Sequence, residues 1–315
     1  MNFINRVRNK LLQKGYDKAV VTDMMAGRGP AGPFIVAGKT AHQIIGEVEV
    51  VRATPCGDET LFTKMIDYND LLVNGSVYMS EKINNFRSSF APTPLDVDLG
   101  VHALTDIVRD NSTIKDEIVC GLVIGIDGCT NTYNTVKPVQ RHHKCVPGIV
   151  PFRTVPTAND LQNSDQAKYF LRTSRVLSGT EYSLYYGKAF EKTGEIKVMF
   201  EDGTDVPTNA DILIDPKFIK TYTEYKCMLD QRDVREYFKI TTGSTRTSRV
   251  NSVGLVTGYP IQTFAANGAL DQYGNKLQDL YEYGNVRCIT TLNMENQELK
   301  DSSSTITFIY RLIIL

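Results

Sequence analysis

The densest group of potential metal ligands lies between residues 120 and 145 and consists of Cys120, Cys129, His142, His143 and Cys145. Thiolate and imidazole are ligands that Zn²⁺ prefers. Structural zinc sites, however, preset two ligands with a close C-x₂₋₄-C pair, and Cys120 and Cys129 have the wider C-x₈-C spacing. The five residues are therefore candidate ligands only, and we predict no metal and no other cofactor.

Catalytic patterns are incomplete wherever the sequence offers one. Cys145 and His143 could form a nucleophile and base, but no third group is in place to orient the base. The glycines of Gly27-x-Gly29-x-x-Gly32 match a dinucleotide-binding fingerprint, yet prolines interrupt the helix that must follow it. The chain has neither a G-x-S-x-G elbow nor an H-E-x-x-H helix. We predict no catalytic and no cofactor-binding residue, and hence no enzyme.

Two alternatives remain open. Asp96 and Asp98, in PTPLDVDLG, would project from one face of a strand and could hold a divalent cation. With the Cys/His group, they allow a metal-dependent or carbohydrate-active β-fold enzyme. The tyrosine clusters at residues 182–186 and 281–283 allow a carbohydrate-binding module, although half-buried strands use tyrosine in the same way.

The elements that must position these residues are mostly strands. Short runs rich in β-branched residues predict strands at 44–52, 117–126, 195–200, 252–257 and 286–292. Asn74-Gly75 and Asp127-Gly128 are typical of tight turns with positive φ. Helices are predicted over 163–171 and over 230–238, where Asp230 would be the N-cap and Asp233 would lie in the first turn.

The N-terminal segment differs from the rest. Phe3, Val7 and Leu11 repeat at intervals of four, with basic residues on the other side, and so predict an amphipathic helix. A Gly/Pro-rich arm follows, up to residue 33. The three apolar residues are predicted assembly contacts, because such a stripe commonly packs on protein, and contact of the basic side with a membrane or nucleic acid is the alternative.

The last strand also carries architectural information. In STITFIYRLIIL, Ile306, Phe308, Tyr310 and Leu312 share one face, and Ile309 and Ile313 add apolar side chains to the other. An exposed apolar edge of this length would aggregate, so we predict that this strand has neighbours on both sides or is covered by a partner subunit.

These patterns predict a mainly β fold with β-sandwich-like domains, a few short helices, and an N-terminal amphipathic helix and arm. The predicted divisions are residues 1–33, residues 34–155 and residues 156–315, the last ending in a buried strand. The second and third divisions alternatively form a single domain.

Composition narrows the function classes. The 315 residues carry 35 Lys and Arg against 36 Asp and Glu, a formal net charge of −1, and 42% of them are hydrophobic. Such a chain is expected to fold rather than to be disordered. A balanced charge offers no general attraction for nucleic acid. No run of about 18 to 20 apolar residues is present, so no membrane span is predicted.

The segments VREYFKITTG, RVNSVGLVTGYP and LYEYGNVRCITTLNMENQELKDSSSTITFIYRLIIL resemble β-rich structural proteins of large tailed bacteriophages, from the neck, tail or baseplate. The resemblance extends over roughly residues 100–315, in the order and style of the segments. It implies a virion subunit that is assembled in the host cytoplasm as a homo-oligomer, with other virion structural proteins as partners and fibre attachment as a further role. It implies no active-site residues.

Overall fold

The computed structural model describes residues 34–36, 39–41, 44–54, 56–67, 72–84, 117–130, 134–140, 142–161, 168–190, 194–200, 218–230, 232–263, 280–299 and 305–314. Its strands are β1 (Phe34–Val36), β2 (Lys39–Ala41), β3 (Ile44–Thr54), β4 (Gly57–Asp67), β5 (Ile118–Gly125), β6 (Ile149–Val150), β7 (Arg153–Pro156), β8 (Tyr169–Leu177), β9 (Thr180–Ala189), β10 (Glu195–Phe200), β11 (Phe218–Leu229), β12 (Arg249–Thr263), β13 (Leu280–Glu298) and β14 (Ile306–Ile314). Its α-helices are α1 (Val73–Asn84) and α2 (Arg235–Thr242), and short 3₁₀ turns cover Thr157–Asn159 and Thr245–Thr247.

The strands form two large antiparallel sheets. The first has the order β10-β11-β14-β3-β4. The second has the order β13-β12-β5-β9-β7, with β6 paired to β5 and β8 paired to β9. β1 and β2 form a separate small ribbon. The prediction of a mainly β fold is confirmed.

One apolar core lies between the two sheets. Val50 and Phe308 from the first sheet share it with Leu122 and Val253 from the second. The Tyr310 hydroxyl, from the first sheet, donates a hydrogen bond of 3.4 Å to the Val253 carbonyl in the second. The molecule is therefore a β-sandwich. Strands from residues 34–155 and from 156–315 contribute to both sheets, so the two segments share this core.

The last strand occupies the centre of the first sheet. β14 pairs with β11 on one side and with β3 on the other. Ile306, Phe308 and Tyr310 are completely buried in the core, as the alternating pattern predicts. Its neighbours are strands of the same chain, which confirms the first of the two arrangements expected for it.

The two helices lie at the two edges of the second sheet, α1 beside β13 and α2 beside β7. Ahead of α1, the Leu72 amide donates to the Ile289 carbonyl of β13 over 3.0 Å. Ahead of α2, the Val234 amide donates to the Phe152 carbonyl beside β7 over 2.7 Å. Each helix therefore limits the pairing of a further strand at the edge that it covers. Neither helix in the described part of the chain is long and apolar enough to cross a membrane.

Several local predictions were wrong. Residues 169–171 of the predicted helix 163–171 lie in β8, because β9 offers them a partner strand. Asn74-Gly75 belongs to α1, and neither Gly75 nor Gly128 has a positive φ. Among the described residues, Ser178-Gly179 forms a tight turn of this kind, which joins β8 to β9 with φ of 49° and 82°. The predicted N-terminal helix and arm lie outside the described residues.

Candidate functional site

One cluster of buried charged side chains links the two sheets. We call it the Lys188 cluster, and it consists of Lys188, Asp233, Tyr169 and Asp230. Lys188 lies in β9, opposite Tyr169 of β8 and Leu122 of β5. The two aspartates belong to the turn that follows β11. The cluster therefore links the second sheet to the end of a strand in the first.

Three hydrogen bonds hold the Asp233 carboxylate. The Lys188 ammonium donates to Oδ2 over 2.6 Å, and the Tyr169 hydroxyl donates to Oδ1 over 2.8 Å. The Asp230 amide adds a bond of 2.9 Å to Oδ2. Lys188 also donates to the Met228 carbonyl over 2.6 Å. Both ends of the ion pair are thus held by several partners.

Burial controls the electrostatics of this cluster. The side chains of Lys188 and Asp233 are 7% and 0% exposed. Burial raises the pKa of Asp233, and the attraction of Lys188 only partly offsets this effect. Burial and the neighbouring Asp233 also raise the pKa of Tyr169, so its hydroxyl stays protonated and remains a donor.

The helix predicted over residues 230–238 begins later than expected. Asp230 Oδ1 accepts from the amides of Arg232 and Asp233 over 2.6 and 3.2 Å, so this residue caps a turn. α2 itself starts at Arg235. Between them, Val234 has φ +67°, which is unfavourable for a β-branched residue. The Asp233 side chain, expected in the first turn of the helix, is bonded to Lys188 instead.

A second buried ion pair lies in the second sheet, between a residue of β13 and the residue before β5. Arg287 of β13 donates from Nε and Nη2 to the two Glu117 oxygens, over 2.6 and 2.8 Å. The Thr257 hydroxyl donates to Glu117 Oε1 over 2.7 Å. The guanidinium carbon lies 5.2 Å from the centre of the Tyr78 ring in α1. The pair therefore connects β12, β13 and the start of β5, and its side chains are at most 1% exposed.

A third charged group lies on the face of the first sheet opposite the core. Arg311 of β14 donates to Glu224, Glu47 and Glu49, over 2.7, 2.9 and 2.8 Å. The Arg311 hydrogen bond and charge hold the pKa of Glu224 below its ordinary value, although burial acts the other way. The glutamates in turn raise the pKa of Arg311 against the effect of burial. This arrangement braces β3, β14 and β11 across the sheet.

The five candidate zinc ligands take separate roles. Cys120 is buried in the second sheet and contacts the Val256 carbonyl, and burial raises its pKa. Cys129 lies among amides, with Asn251 Nδ2 at 3.3 Å and Asn134 Oδ1 at 3.5 Å. Among the residues that the structure describes, no group of three or more His, Cys, Asp or Glu side chains could hold a metal ion.

The other three candidate ligands lie in the loop before β6. The rings of His142 and His143 contact one another edge to face, with centroids 5.0 Å apart. Cys145 is partly buried; burial raises its pKa, and a hydrogen bond with the buried Cys288 acts in the same direction. Asp96 and Asp98 lie outside the described residues.

The tyrosine cluster of β9 serves the core. Tyr185 and Tyr186 are buried, and burial raises the pKa of Tyr186 to about 12. The Tyr185 hydroxyl donates to Asp160, which also forms an ion pair of 2.5 Å with Arg172. These contacts agree with the half-buried-strand interpretation for Tyr185 and Tyr186.

Comparison with known proteins gives limited information. A family model described as a family of unknown function, DUF7208, matches residues 110–204, less than a third of the chain. Comparison with curated proteins gives no match, and comparison with solved structures gives none either.

The matched segment covers β5 to β10, and it contains Lys188 and Tyr169 but neither aspartate of the Lys188 cluster. Sequence analysis missed the buried partnerships of Lys188 and of Arg287. A lysine in a strand is ordinarily solvated, and its partner Asp233 is distant in sequence. The one available signal was Asp230-x-x-Asp233, which indicates local capping of the backbone and was correctly placed near a helix start.

Proposed function

We propose that this chain is a structural subunit of a tailed-phage virion, in the neck, tail or baseplate region, where it assembles with further copies of itself and with other virion proteins. The fold supports this role because buried contacts hold its two sheets together. Buried ion pairs connect parts of the sandwich at three places, and their charged groups are bonded to one another.

The observation that carries the proposal is the exposure of apolar side chains on bordering strands. Among the described strands, β10 pairs with β11 alone and β8 pairs with β9 alone. Ile196 of β10 and Val176 of β8 are each 69% exposed. A bordering strand with exposed β-branched residues is suited to contact with another protein strand. Such positions favour subunit association.

The mass of the assembled species tests this role. We expect sedimentation of the purified full chain to show a defined multimer. Ile196→Asp and Val176→Asp should weaken the multimer, because a charge is placed on the bordering strand. Val136→Asp is the matched control, since this valine is 42% exposed in a loop and should leave the multimer intact.

The N-terminal segment provides a second test. Removal of residues 1–33, which include Phe3, Val7 and Leu11, is expected to abolish or weaken assembly while the sandwich stays folded by circular dichroism. A monodisperse monomer that never joins a larger particle would refute the proposed role. Stoichiometric binding of zinc or calcium by the purified chain would instead favour the metal-dependent alternative.

A further inference from the structure

We propose that Lys188 and Asp233 condense within the folded chain to form an intramolecular isopeptide bond, which makes the Lys188 cluster a site of self-catalysed modification. The inference does not depend on the proposed assembly role. It rests on the contact between a buried amine and a buried carboxyl group, on a hydrogen-bond donor at the carboxyl oxygen, and on the exclusion of water.

The reacting groups are already in contact. Lys188 Nζ lies 2.6 Å from Asp233 Oδ2, so the nitrogen is next to the Cγ atom that it would attack. The bond from Lys188 to the Met228 carbonyl directs the amine from a second side. Holding a nucleophile and an electrophile at contact distance removes much of the entropic barrier to their reaction.

The reaction balances without any further reactant. A proton passes from the Lys188 ammonium to Asp233 Oδ2, which leaves a neutral amine and a neutral acid. The amine nitrogen bonds to Cγ, the protonated Oδ2 leaves with a second amine hydrogen as water, and one amide hydrogen remains on nitrogen. No atom is oxidised or reduced.

Tyr169 is placed to assist this step. Its hydroxyl donates to Oδ1 over 2.8 Å, and Oδ1 is the oxygen on which negative charge develops as nitrogen attacks Cγ. A donor aimed at developing charge in a water-poor site lowers the barrier. Burial raises the pKa of Asp233, which favours the neutral acid that the reaction requires. The Tyr169 ring also lies beside the amine, with Nζ 5.4 Å from its centre.

The ion pairs formed by Arg287, Arg311, Lys197 and Lys226 each lack one of these conditions. Arg287 and Arg311 are enclosed, but a guanidinium keeps its proton and is a poor nucleophile. Lys197 lies 3.4 Å from Glu224 with a quarter of its side chain exposed, and Lys226 is 60% exposed. Lys188 combines a nucleophilic amine with a side chain that is 7% exposed, against a carboxyl group that is 0% exposed.

The product would be a covalent tie between the two sheets. Lys188 belongs to β9 in the second sheet, and Asp233 follows β11 in the first. The amide would replace two buried charges with one neutral group, which removes the desolvation cost of the ion pair.

The mass of the denatured full chain tests the inference directly. After incubation of the folded protein, we expect an intact mass lower than that of the linear sequence by one water molecule. Trypsin should yield a branched peptide pair joined through Lys188 and Asp233. Full recovery of both peptides in linear form, with no mass deficit, would overturn the proposal.

Variants separate this bond from other losses of water, such as a succinimide at an aspartate. Lys188→Arg keeps the charge and should abolish the deficit, whereas Lys197→Arg is the matched control and should retain it. Tyr169→Phe should slow formation of the branched peptide by about 10²–10³-fold, the range expected for loss of a donor at developing charge. A mass deficit that persists in Lys188→Arg would refute the assignment to this lysine.

Discussion

Gly75 in α1 lies directly against the backbone carbonyl of Ile289 in β13, where a Cβ atom at position 75 would be 2.2 Å from that oxygen. The helix can therefore approach the sheet this closely because residue 75 has no side chain. The same contact places Tyr78 in the core between the sheets and Leu72 in a second apolar cluster, which it shares with Val123 and Cys288 of the second sheet.

Substitution of Gly75 by alanine should have the opposite effect on stability to the same substitution in an exposed helix. In an exposed helix, Gly→Ala stabilises by about 1 kcal/mol. Gly75→Ala is instead expected to lower the free energy of unfolding by about 1–3 kcal/mol, because the methyl group forces α1 away from β13. Urea denaturation measures the change. Met79→Ala, on the exposed side of α1, is the control and should change the free energy by less than about 0.5 kcal/mol. An unchanged midpoint for Gly75→Ala would contradict the close packing.

Loss of one member of the Glu117–Arg287 pair should strongly lower the free energy of unfolding. Arg287→Met leaves the Glu117 carboxylate buried without its partner, and we expect a loss of about 3–5 kcal/mol. Glu117→Leu with Arg287→Met removes both charges and should recover a large part of that loss. A double-mutant cycle in chemical denaturation gives the coupling between the two residues. Additive effects of the single substitutions would show that the pair is not coupled.

The effect on stability of a substitution at Gly179, in the β8–β9 turn, should arise from backbone conformation alone. Gly179 has φ +82°, and no atom lies within 4 Å of the position that a Cβ would take. Gly179→Ala is therefore expected to destabilise by about 1–2 kcal/mol, the cost of a left-handed conformation for a residue with a side chain. Thermal unfolding would detect this as a lower Tm. Ser174→Ala, at an exposed position of β8, should leave the Tm unchanged.

The charged face of the first sheet should make stability depend on acid pH. The pKa of Glu224 is lowered in the folded state from its ordinary value of 4.5 by Arg311 and the nearby lysines, against the opposing effect of burial. Its contribution is therefore complete above the unfolded value and is lost as the pH falls through the folded value. The stability difference between wild type and Glu224→Gln should shrink as the pH is lowered below 4.5. Urea titrations at several pH values measure it, and a difference independent of pH would contradict the coupling.

The strands were the most predictable part of the fold. The run at 195–200 coincides with β10, and the runs at 44–52 and 117–126 fall within two residues of β3 and β5. Alternation of apolar and polar residues is a local property, so it can be read without knowing the partners. β14 was predicted with its environment as well, because a strand that is apolar on both faces must be enclosed.

Features that depend on distant contacts were not predictable in the same way. α1 contains a glycine and β-branched residues, which disfavour an isolated helix, and its position is justified by packing against Ile289. Lys188 and Asp233 are 45 residues apart and meet because β9 and the end of β11 converge. The apolar run Tyr169–Leu171 fits a helix locally, but pairing with β9 decides its conformation.

The central position of β14 also determines when the first sheet can form during translation. β3 and β11 are held together by residues 306–314, more than 250 residues after β3 begins. Until this segment emerges from the ribosome, β3–β4 and β10–β11 have no strand to join them, and residues such as Val48 and Val50 remain exposed to water. Contacts of such long sequence separation slow folding and prolong exposure to aggregation. The apolar surface of the first sheet therefore stays uncovered for longer than it would in a protein built from neighbouring hairpins.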